Sequence, residues 1–308
     1  MKDRLVTLVG GGGFLGRYVA QALLAAGARV RVAQRDPREA FYLRPLGGLG
    51  QTQFVAADVS RPDTIARAIA GSDAAVNLVG TFTGDLKRVH VDGARAVAEA
   101  ATAAGATALV HVSAIGADPQ AASYYGQTKG AGEAAVRDAF PLATILRPST
   151  VFGREDQFVN RFAGMIAALP VVPVLKPNAR FQPVFAGDVA AAVVAALGDP
   201  GAHGGQVYEL GGPDVLTMLE LHAWIAEAIN RSPSLLPLPD IAGNLLAALP
   251  GGPISRDQWK LLQGDSVVSG GARDLAALGV TPTPLAAVAP GWLVRYRRQG
   301  RFAKQTAA

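Results

Sequence analysis

The chain has 308 residues, half of them hydrophobic and only 17% charged, with a formal net charge of +5. This is enough apolar material for a large α/β domain, or a domain with a lobe, and too little charge for a disordered chain. Cysteine is absent, which excludes disulfides, thiolate catalysis and cysteine metal sites.

The positive balance favours anionic ligands such as nucleotide phosphates, or an acidic membrane surface. Nucleic acid is not expected, because the basic residues are scattered without interleaved aromatics. No metal is expected. Met1 to Arg4 runs straight into an apolar strand, so the amino end reads as structural and not as a signal peptide. With no run of about 18 apolar residues, the expected location is cytoplasmic, at most peripheral on the inner face of a membrane.

Leu5–Val9 reads as a buried strand, and Gly10, Gly13 and Gly16 follow it as G-x-x-G-x-x-G. The first glycine allows a sharp turn. The second lets backbone approach a pyrophosphate, and the third lets the helix pack on the strand. Phe14, Leu15, Val19, Leu23 and Leu24 recur at helical spacing up to Gly27. The start of that helix offers unpaired N–H groups and a partial positive charge. Gly10, Gly13, Phe14, Leu15 and Gly16 are therefore candidate cofactor-binding residues.

A second strand is expected over 28–33, ending in Gln34-Arg35-Asp36. NAD-preferring folds place an acidic side chain on the ribose hydroxyls at this point. Here Gln34 takes that place and Arg35 follows. A guanidinium beside the ribose suits a 2′-phosphate through paired, charge-assisted hydrogen bonds. The expected cofactor is NADP(H) in preference to NAD(H). The alternative leaves Arg35 as a solvated charge and gives NAD to Asp36.

A third strand over 53–57 leads to Asp58 and Val59, an acceptor for the adenine amino group and a flank for its ring. Asp58 has an alternative role as the cap of a helix over 64–70. A fourth strand over 74–79 ends at Val79 and Gly80, where a small residue lets a cofactor pass close to the backbone. A helix over 87–104 turns Val91, Ala94, Val97, Ala98 and Ala101 inward. The fifth strand, Ala108–Val112, ends at Ser113, on the edge where ligands of open parallel sheets bind.

Tyr125 and Lys129 stand four apart at the start of the next helix and project from one face. A phenol is a poor acid at its reference pKa of about 10. A neighbouring ammonium is expected to favour the phenolate and lower that value. Tyr125 would then give a proton to a carbonyl oxygen as hydride arrives, with Lys129 tuning it and holding the ribose, and Ser113 orienting the oxygen. The bland alternative is a packed tyrosine and an exposed lysine.

A sixth strand over 143–146 leads to Pro148, Ser149 and Val151, whose backbone groups are candidates for the nicotinamide end. Phe158, Phe162, Met165 and Ile166 read as a helix over the cleft or as core packing. From Pro170 the pattern loosens. A short strand opens at 182–185, and Asp188 is expected to cap a helix over 189–197. Val207–Leu210 is a further strand, and 216–229 an amphipathic helix. Short helices are expected over 244–249, 256–262 and 274–278. The aromatic, basic stretch from Trp292 to Arg301 is a candidate seat on an anionic bilayer or a partner, or a solvated tail.

The glycine motif, Asp58, Tyr125-x-x-x-Lys129 and Leu146-Arg147-Pro148-Ser149 resemble an extended or atypical short-chain dehydrogenase/reductase over about the first two-thirds of the chain. Residues 136–141, 152–158 and 255–258 resemble the nucleotide-binding accessory subunits of respiratory complex I and their bacterial homologues, extending the likeness over nearly the whole chain. The resemblance implies a doubly wound parallel Rossmann sheet of class α/β with a smaller carboxyl-terminal lobe. The expected core is 1–153 with a contribution from about 182–212, and the expected lobe is 154–181 and 213–308.

The resemblance also implies a bound NADPH, either turned over on a ketone or quinone or held structurally in a respiratory complex. Two departures stand out. The family serine aligns with Ser113 or one place later with Ala114. His90 stands where extended enzymes often carry asparagine, as a packed side chain or a functional one. An epimerase acting on a nucleotide sugar fits less well, because the lobe lacks a basic and aromatic clamp for a second diphosphate.

Overall fold

The computed structural model describes residues 1–249, 251–252 and 254–298. In chain order the first elements are β1 (Leu5–Val9), α1 (Phe14–Ala25), β2 (Arg29–Gln34), a 3-10 segment (Pro37–Leu46), β3 (Thr52–Ala56), α2 (Pro62–Ile69) and β4 (Ala74–Asn77). A π turn (Arg88–Asp92) then runs into α3 (Gly93–Ala103), followed by β5 (Ala108–Val112), α4 (Tyr124–Ala139) and β6 (Thr144–Pro148). The chain continues through β7 (Val151–Phe152), α5 (Val159–Ala168), β8 (Val171–Val174), β9 (Arg180–Phe181) and β10 (Val184–Phe185). It then forms α6 (Ala186–Gly198), α7 (Pro200–His203) and β11 (Val207–Leu210). The last part holds β12 (Leu216–Thr217), α8 (Met218–Ala228), β13 (Ser234–Pro237), α9 (Asp240–Ala248), α10 (Arg256–Leu261), α11 (Leu285–Val288) and α12 (Pro290–Leu293).

These elements fall into two compact units. The first comprises Met1–Pro148, Ala186–Leu210 and Val268–Thr281. Its seven strands form one parallel sheet in the order β11-β6-β5-β4-β1-β2-β3. Runs such as Ala108-Leu109-Val110-His111-Val112 are buried at every position, as parallel strands covered on both faces require. Helix α1 packs with α6, and α2, α3 and α4 pack in a row. Strand order reverses between β1 and β4, the point where open α/β sheets leave a crevice at the strand ends. This is the doubly wound parallel sheet expected from the sequence.

The second unit comprises Ser149–Phe185, Gly211–Val267 and the chain from Pro282 onward. It holds three two-stranded pairings, β7–β10, β9–β12 and β8–β13. Phe152, Val159, Ile166, Val172, Leu221, Ile225, Leu285 and Leu293 make its core, and Phe158, Phe162 and Met165 pack against them. Core packing is thus what the 158–166 apolar pattern encodes.

Several expected boundaries move for local reasons. The 64–70 helix begins at Pro62, which is suited to the first turn, and its N-cap is Arg61. Asp58 is therefore not the cap. The 74–79 strand stops at Asn77, whose Oδ1 accepts the Val79 N–H at 3.1 Å. The 87–104 helix opens as a π turn. Asp188 lies inside the first turn of a helix that starts at Ala186. Residues 216–217 pair with β9, and Thr217 caps α8 through a capping box with Glu220. The 274–278 helix is a single 3-10 turn, Ala276–Leu278, and the 244–249 helix starts at Asp240.

The 292–301 stretch is not a free tail as far as it is described. Trp292 and Tyr296 pack on the second core, Arg295 donates to Asn160 Oδ1 at 2.6 Å, and Arg297 donates to the Ala228 carbonyl at 2.9 Å. Residues 299–301 lie outside the described residues. Among the described residues no helix is long and apolar enough to cross a membrane.

Candidate nucleotide and catalytic site

The glycine turn follows directly from β1. Gly10 has φ +79° and donates its N–H to the Ala33 carbonyl at 2.8 Å. A Cβ there would meet Val79 Cγ2 at 2.9 Å, so side-chain space and backbone conformation both call for glycine. Gly13 is the N-cap of α1 and carries no side chain to satisfy the first-turn N–H groups. Gly16 is buried, and a Cβ on it would overlap the Gly11 carbonyl. Together the helix start and the glycine cradle present the donors and the close backbone approach that a pyrophosphate needs. Phe14 and Leu15, half-buried, open the helix beside it.

Sequence reasoning missed Tyr42, in the 3-10 segment. Its hydroxyl donates to the Gly12 carbonyl at 3.1 Å, and the Arg17 guanidinium sits 4.2 Å over its ring. These contacts fix the glycine turn from the side of β2. Gln34 packs against Gly12 and donates its amide to the Asp36 carbonyl at 2.6 Å. Asp36 is itself engaged. It caps the 3-10 segment and binds the Arg38 guanidinium at 2.8 Å, which holds its carboxyl below the usual range. Arg35 is exposed and has no hydrogen-bond or ion-pair partner among the described residues. Asp58 accepts the Ser60 N–H and hydroxyl on one oxygen, at 2.9 and 2.8 Å, bonds that lower its carboxyl further. Val59 packs on Gly93, Val79 on Gly10, and Gly80 is exposed.

Helix α4 carries Tyr125 and Lys129. Ser123 caps it by accepting the Gly126 N–H at 3.1 Å. The Lys129 ammonium is buried and donates to the Val112 carbonyl at 2.8 Å, which pegs the helix to the end of β5. Burial pulls its pKa down to about 8, with Glu133 pulling the other way. Glu133 is buried and pairs with Arg147 through two bonds, at 2.9 and 2.7 Å.

Tyr125 departs from expectation. Its pKa is pushed up to about 12 by burial, and no lowering by Lys129 is seen. The physical reason is its surroundings. The Phe82 ring stacks on it and the His90 ring meets it edge-on at 5.3 Å, so little water reaches the phenol.

His90 is buried and bonded at both ring nitrogens. Its Nε2 accepts the Thr81 N–H at 3.1 Å, so Nδ1 carries the proton and donates to Thr128 Oγ1 at 2.9 Å. The Thr128 hydroxyl in turn donates to the Tyr125 carbonyl at 3.0 Å. Burial drops the His90 pKa to about 4, so the ring is neutral at physiological pH.

Ser113 directly follows β5 and donates its N–H to the Leu146 carbonyl, and its buried hydroxyl has no partner among the described residues. Two residues back, His111 Nδ1 accepts from Asn77 and its buried Nε2 is likewise unpartnered among the described residues. Ala114 is half-buried beside Ser113 and brings no hydroxyl. Pro148 ends β6. Ser149 and Val151 begin the second unit, where Ser149 donates to the Ser266 carbonyl at 2.6 Å and Val151 pairs with Val184.

Thus the glycine turn, Arg35, Asp58, Val79, Ser113, Tyr125 and Lys129 all lie at the carboxyl ends of the strands of one sheet or on the turns and helix that follow them. A profile of the NAD dependent epimerase/dehydratase family matches residues 6–211. The chain belongs to this family.

Within it, the chain is of the extended short-chain dehydrogenase/reductase type. It is 34% identical over 293 residues to the mitochondrial NADH dehydrogenase (ubiquinone) 1 alpha subcomplex subunit 9 of Mus musculus, covering 91% of this chain and 77% of that relative. It is 35% identical over 242 residues to a ceramide reductase of Caulobacter vibrioides, covering 77% of this chain and 74% of that one. Among solved structures, an NADPH-dependent quinone oxidoreductase from Escherichia coli in complex with NADPH superposes with a TM-score of 0.74 at 20% identity, over 94% of this chain and 99% of that one. That last likeness is one of fold. The fold is that of NAD(P)-binding proteins.

Phe82, Thr128 and Glu133 were also missed. Phe82 sits in an exposed loop with no periodic pattern. Thr128 and Glu133 lie in the Tyr125 helix but belong to no short motif.

Proposed function

We propose that the protein is an NADPH-dependent oxidoreductase acting on a ketone or quinone. The observation that supports this most is the grouping on one helix of a neutral, water-shielded phenol and a buried ammonium, close to an unpartnered serine hydroxyl. The glycine cradle of residues 10–16 fits a dinucleotide pyrophosphate, since Gly10 turns the chain at φ +79° and the start of α1 at Gly13 has no side-chain cap on its first-turn N–H groups. Bound NADPH supplies the hydride. Tyr125 holds the proton on its phenol oxygen and gives it to the carbonyl oxygen as the carbon is reduced, leaving an alcohol or, from a quinone, a hydroquinone.

Lys129 presents positive charge beneath the ribose, and Ser113 donates to the substrate oxygen. Arg35 would receive the 2′-phosphate; Asp36, already bound by Arg38, is poorly placed to take the ribose hydroxyls of NAD instead. Asp58 accepts from the adenine amino group, beside Val59.

A second reading follows from the 34% identity to the complex I subunit. In it the protein holds NADPH without turning it over and acts as an assembly or stability partner of a respiratory complex. The two readings separate in one experiment. The protein is loaded with NADPH, and its fluorescence is followed while quinones and simple ketones are added, alongside Tyr125→Phe. Oxidation by wild type and not by the variant, with NADPH retained by both, supports the reductase. Equal oxidation by both removes Tyr125 from the chemistry. Retention with no oxidation by either favours the assembly reading.

A further inference from the structure

Strand β3 ends the seven-stranded sheet on one side, and among the described residues no strand pairs with its outer edge. Its inner edge is bonded to β2. The Val30 N–H donates to the Gln51 carbonyl, and the Ala57 N–H to the Gln34 carbonyl. Ladder bonds to one neighbour recur at every second residue of a parallel strand. The odd-numbered residues therefore face β2, and the backbone groups of Thr52, Phe54 and Ala56 face outward. Natural edges of this kind are commonly blunted by a charge, a proline or a bulge. Thr52-Gln53-Phe54-Val55-Ala56 carries no charge and no proline, and its register on β2 runs without a bulge.

A groove of about 590 Å³ lies against this edge. Phe41 and Phe54 meet in it edge to face, with centroids 5.4 Å apart. The Arg44 guanidinium lies 3.6 Å over the Phe41 ring and 5.6 Å from the Phe54 ring. It is the one charge lining the groove, and it has no acidic partner among the described residues. Leu49 stands at the lip between Gly48 and Gly50, fully exposed.

These features identify the occupant. Side chains alternate across a strand, so those of Thr52, Phe54 and Ala56 share the face that carries the groove. A strand added at this edge would place every second side chain on that face, over Phe41, Phe54 and Arg44. Its backbone would supply the bonds the edge leaves unmade, which a lipid does not. A guanidinium stacked on a ring keeps its in-plane N–H fork free, and that fork matches a carboxylate. A second copy of the chain fits less well. Two β3 strands paired about a twofold near Phe54 would bring two Arg44 guanidinium groups together with no acid between them.

We propose that the β3 edge docks an extended, acid-bearing segment of a partner protein, which joins the sheet as a further strand and pairs a carboxylate with Arg44. The groove lies at the start of β3, whereas Asp58 lies beyond its end. The proposal does not depend on the reductase chemistry.

The test selects binders to the full chain from a phage-displayed library of random octapeptides and measures a synthetic copy of the best by fluorescence anisotropy. The selected peptides are expected to carry Asp or Glu among alternating apolar residues, and to slow amide exchange over Thr52–Ala56. Methylating one alternate set of peptide nitrogens is expected to weaken binding at least tenfold, and methylating the other set to leave it nearly unchanged, since only one set faces β3. This measurement leaves the protein unaltered. Arg44→Glu is expected to weaken binding at least tenfold, and Thr52→Pro, at a strand start that tolerates proline, severalfold. An unchanged thermal midpoint reports that each variant is folded. A library without binders, binders that withstand Arg44→Glu, equal effects of the two methylated sets, or protection outside 52–56 would overturn the proposal. So would light scattering that shows a dimer of the free chain dissociated by Thr52→Pro.

Discussion

The Phe82 ring lies over the Tyr125 ring with centroids 4.4 Å apart and planes within 17°. Tyr125 therefore has an exposed aromatic residue as its roof. Removing that roof admits water and favours the phenolate. In Phe82→Ala, the most alkaline tyrosine step in phenolate absorbance is expected to move about one unit toward the ordinary value near 10. Subtraction of Tyr125→Phe spectra identifies the step. An unmoved step would show that the shielding lies elsewhere.

Lys129 sets an alkaline limit. Its folded pKa of about 8 lies below the usual 10.5. Between those values the unfolded chain holds a proton that the folded chain has shed, so stability rises with pH across that window. The charge offered to the nucleotide disappears over the same range. NADPH affinity is expected to fall above pH 8 while the thermal midpoint does not. In Glu133→Gln the loss of a supporting negative charge is expected to bring the affinity limb down by about half a unit to one unit. Breaking the Arg147 pair is expected to lower stability by roughly 3 kcal/mol. Binding titrations across pH and denaturant melts check both.

Arg35→Ala tests cofactor choice. Losing a charge-assisted contact to a phosphate is worth about 1.5–3 kcal/mol, so the NADPH dissociation constant is expected to rise roughly tenfold to a hundredfold while that for NADH changes little. Equal loss for both nucleotides would assign Arg35 to general attraction.

His90 contributes to behaviour in acid. Its folded pKa of about 4 lies below the usual 6.5, so the unfolded chain takes up a proton between these values that the folded chain refuses. The associated stability is present above pH 6.5 and fades as pH falls toward 4. His111 and His222 are shifted in the same direction, so the share of His90 needs a variant. His90→Gln, which keeps an acceptor for Thr81 and a donor for Thr128, is expected to recover about 5 °C of the acid-side fall in thermal midpoint.

Much of the first unit is legible because its signals are local. Ala108–Val112 and Val207–Leu210 are continuous apolar or near-apolar runs bounded by breakers, and Gly10 is followed at once by a helical period. The second unit is less legible. Its strands are two to four residues long, too short for an alternating pattern, and Val171–Val174 and Ser234–Pro237 carry prolines that mask their pairing. Within the site, the spacing of Tyr125 and Lys129 is visible in the sequence. The direction of the phenol's shift is not, because it depends on Phe82, forty-three positions away and brought over the ring only by the fold. The Tyr42 bond to Gly12 is hidden for the same reason, since a 3-10 segment has no period to read.

Strand β11 takes up the flank of the sheet beside β6, with Val207 against Ile145 and Leu210 against Pro148. It comes from residues translated only after 149–185, which belong to the second unit. A product cut short near residue 150 would therefore leave the Thr144–Pro148 strand paired with β5 on one edge only, with its other edge, normally covered by β11, an open template for other chains. Nonsense or frameshift truncations just past the glycine, tyrosine and lysine motifs would keep every residue proposed for catalysis and yet be expected to aggregate. During synthesis, the sheet stays incomplete until the ribosome has passed Leu210.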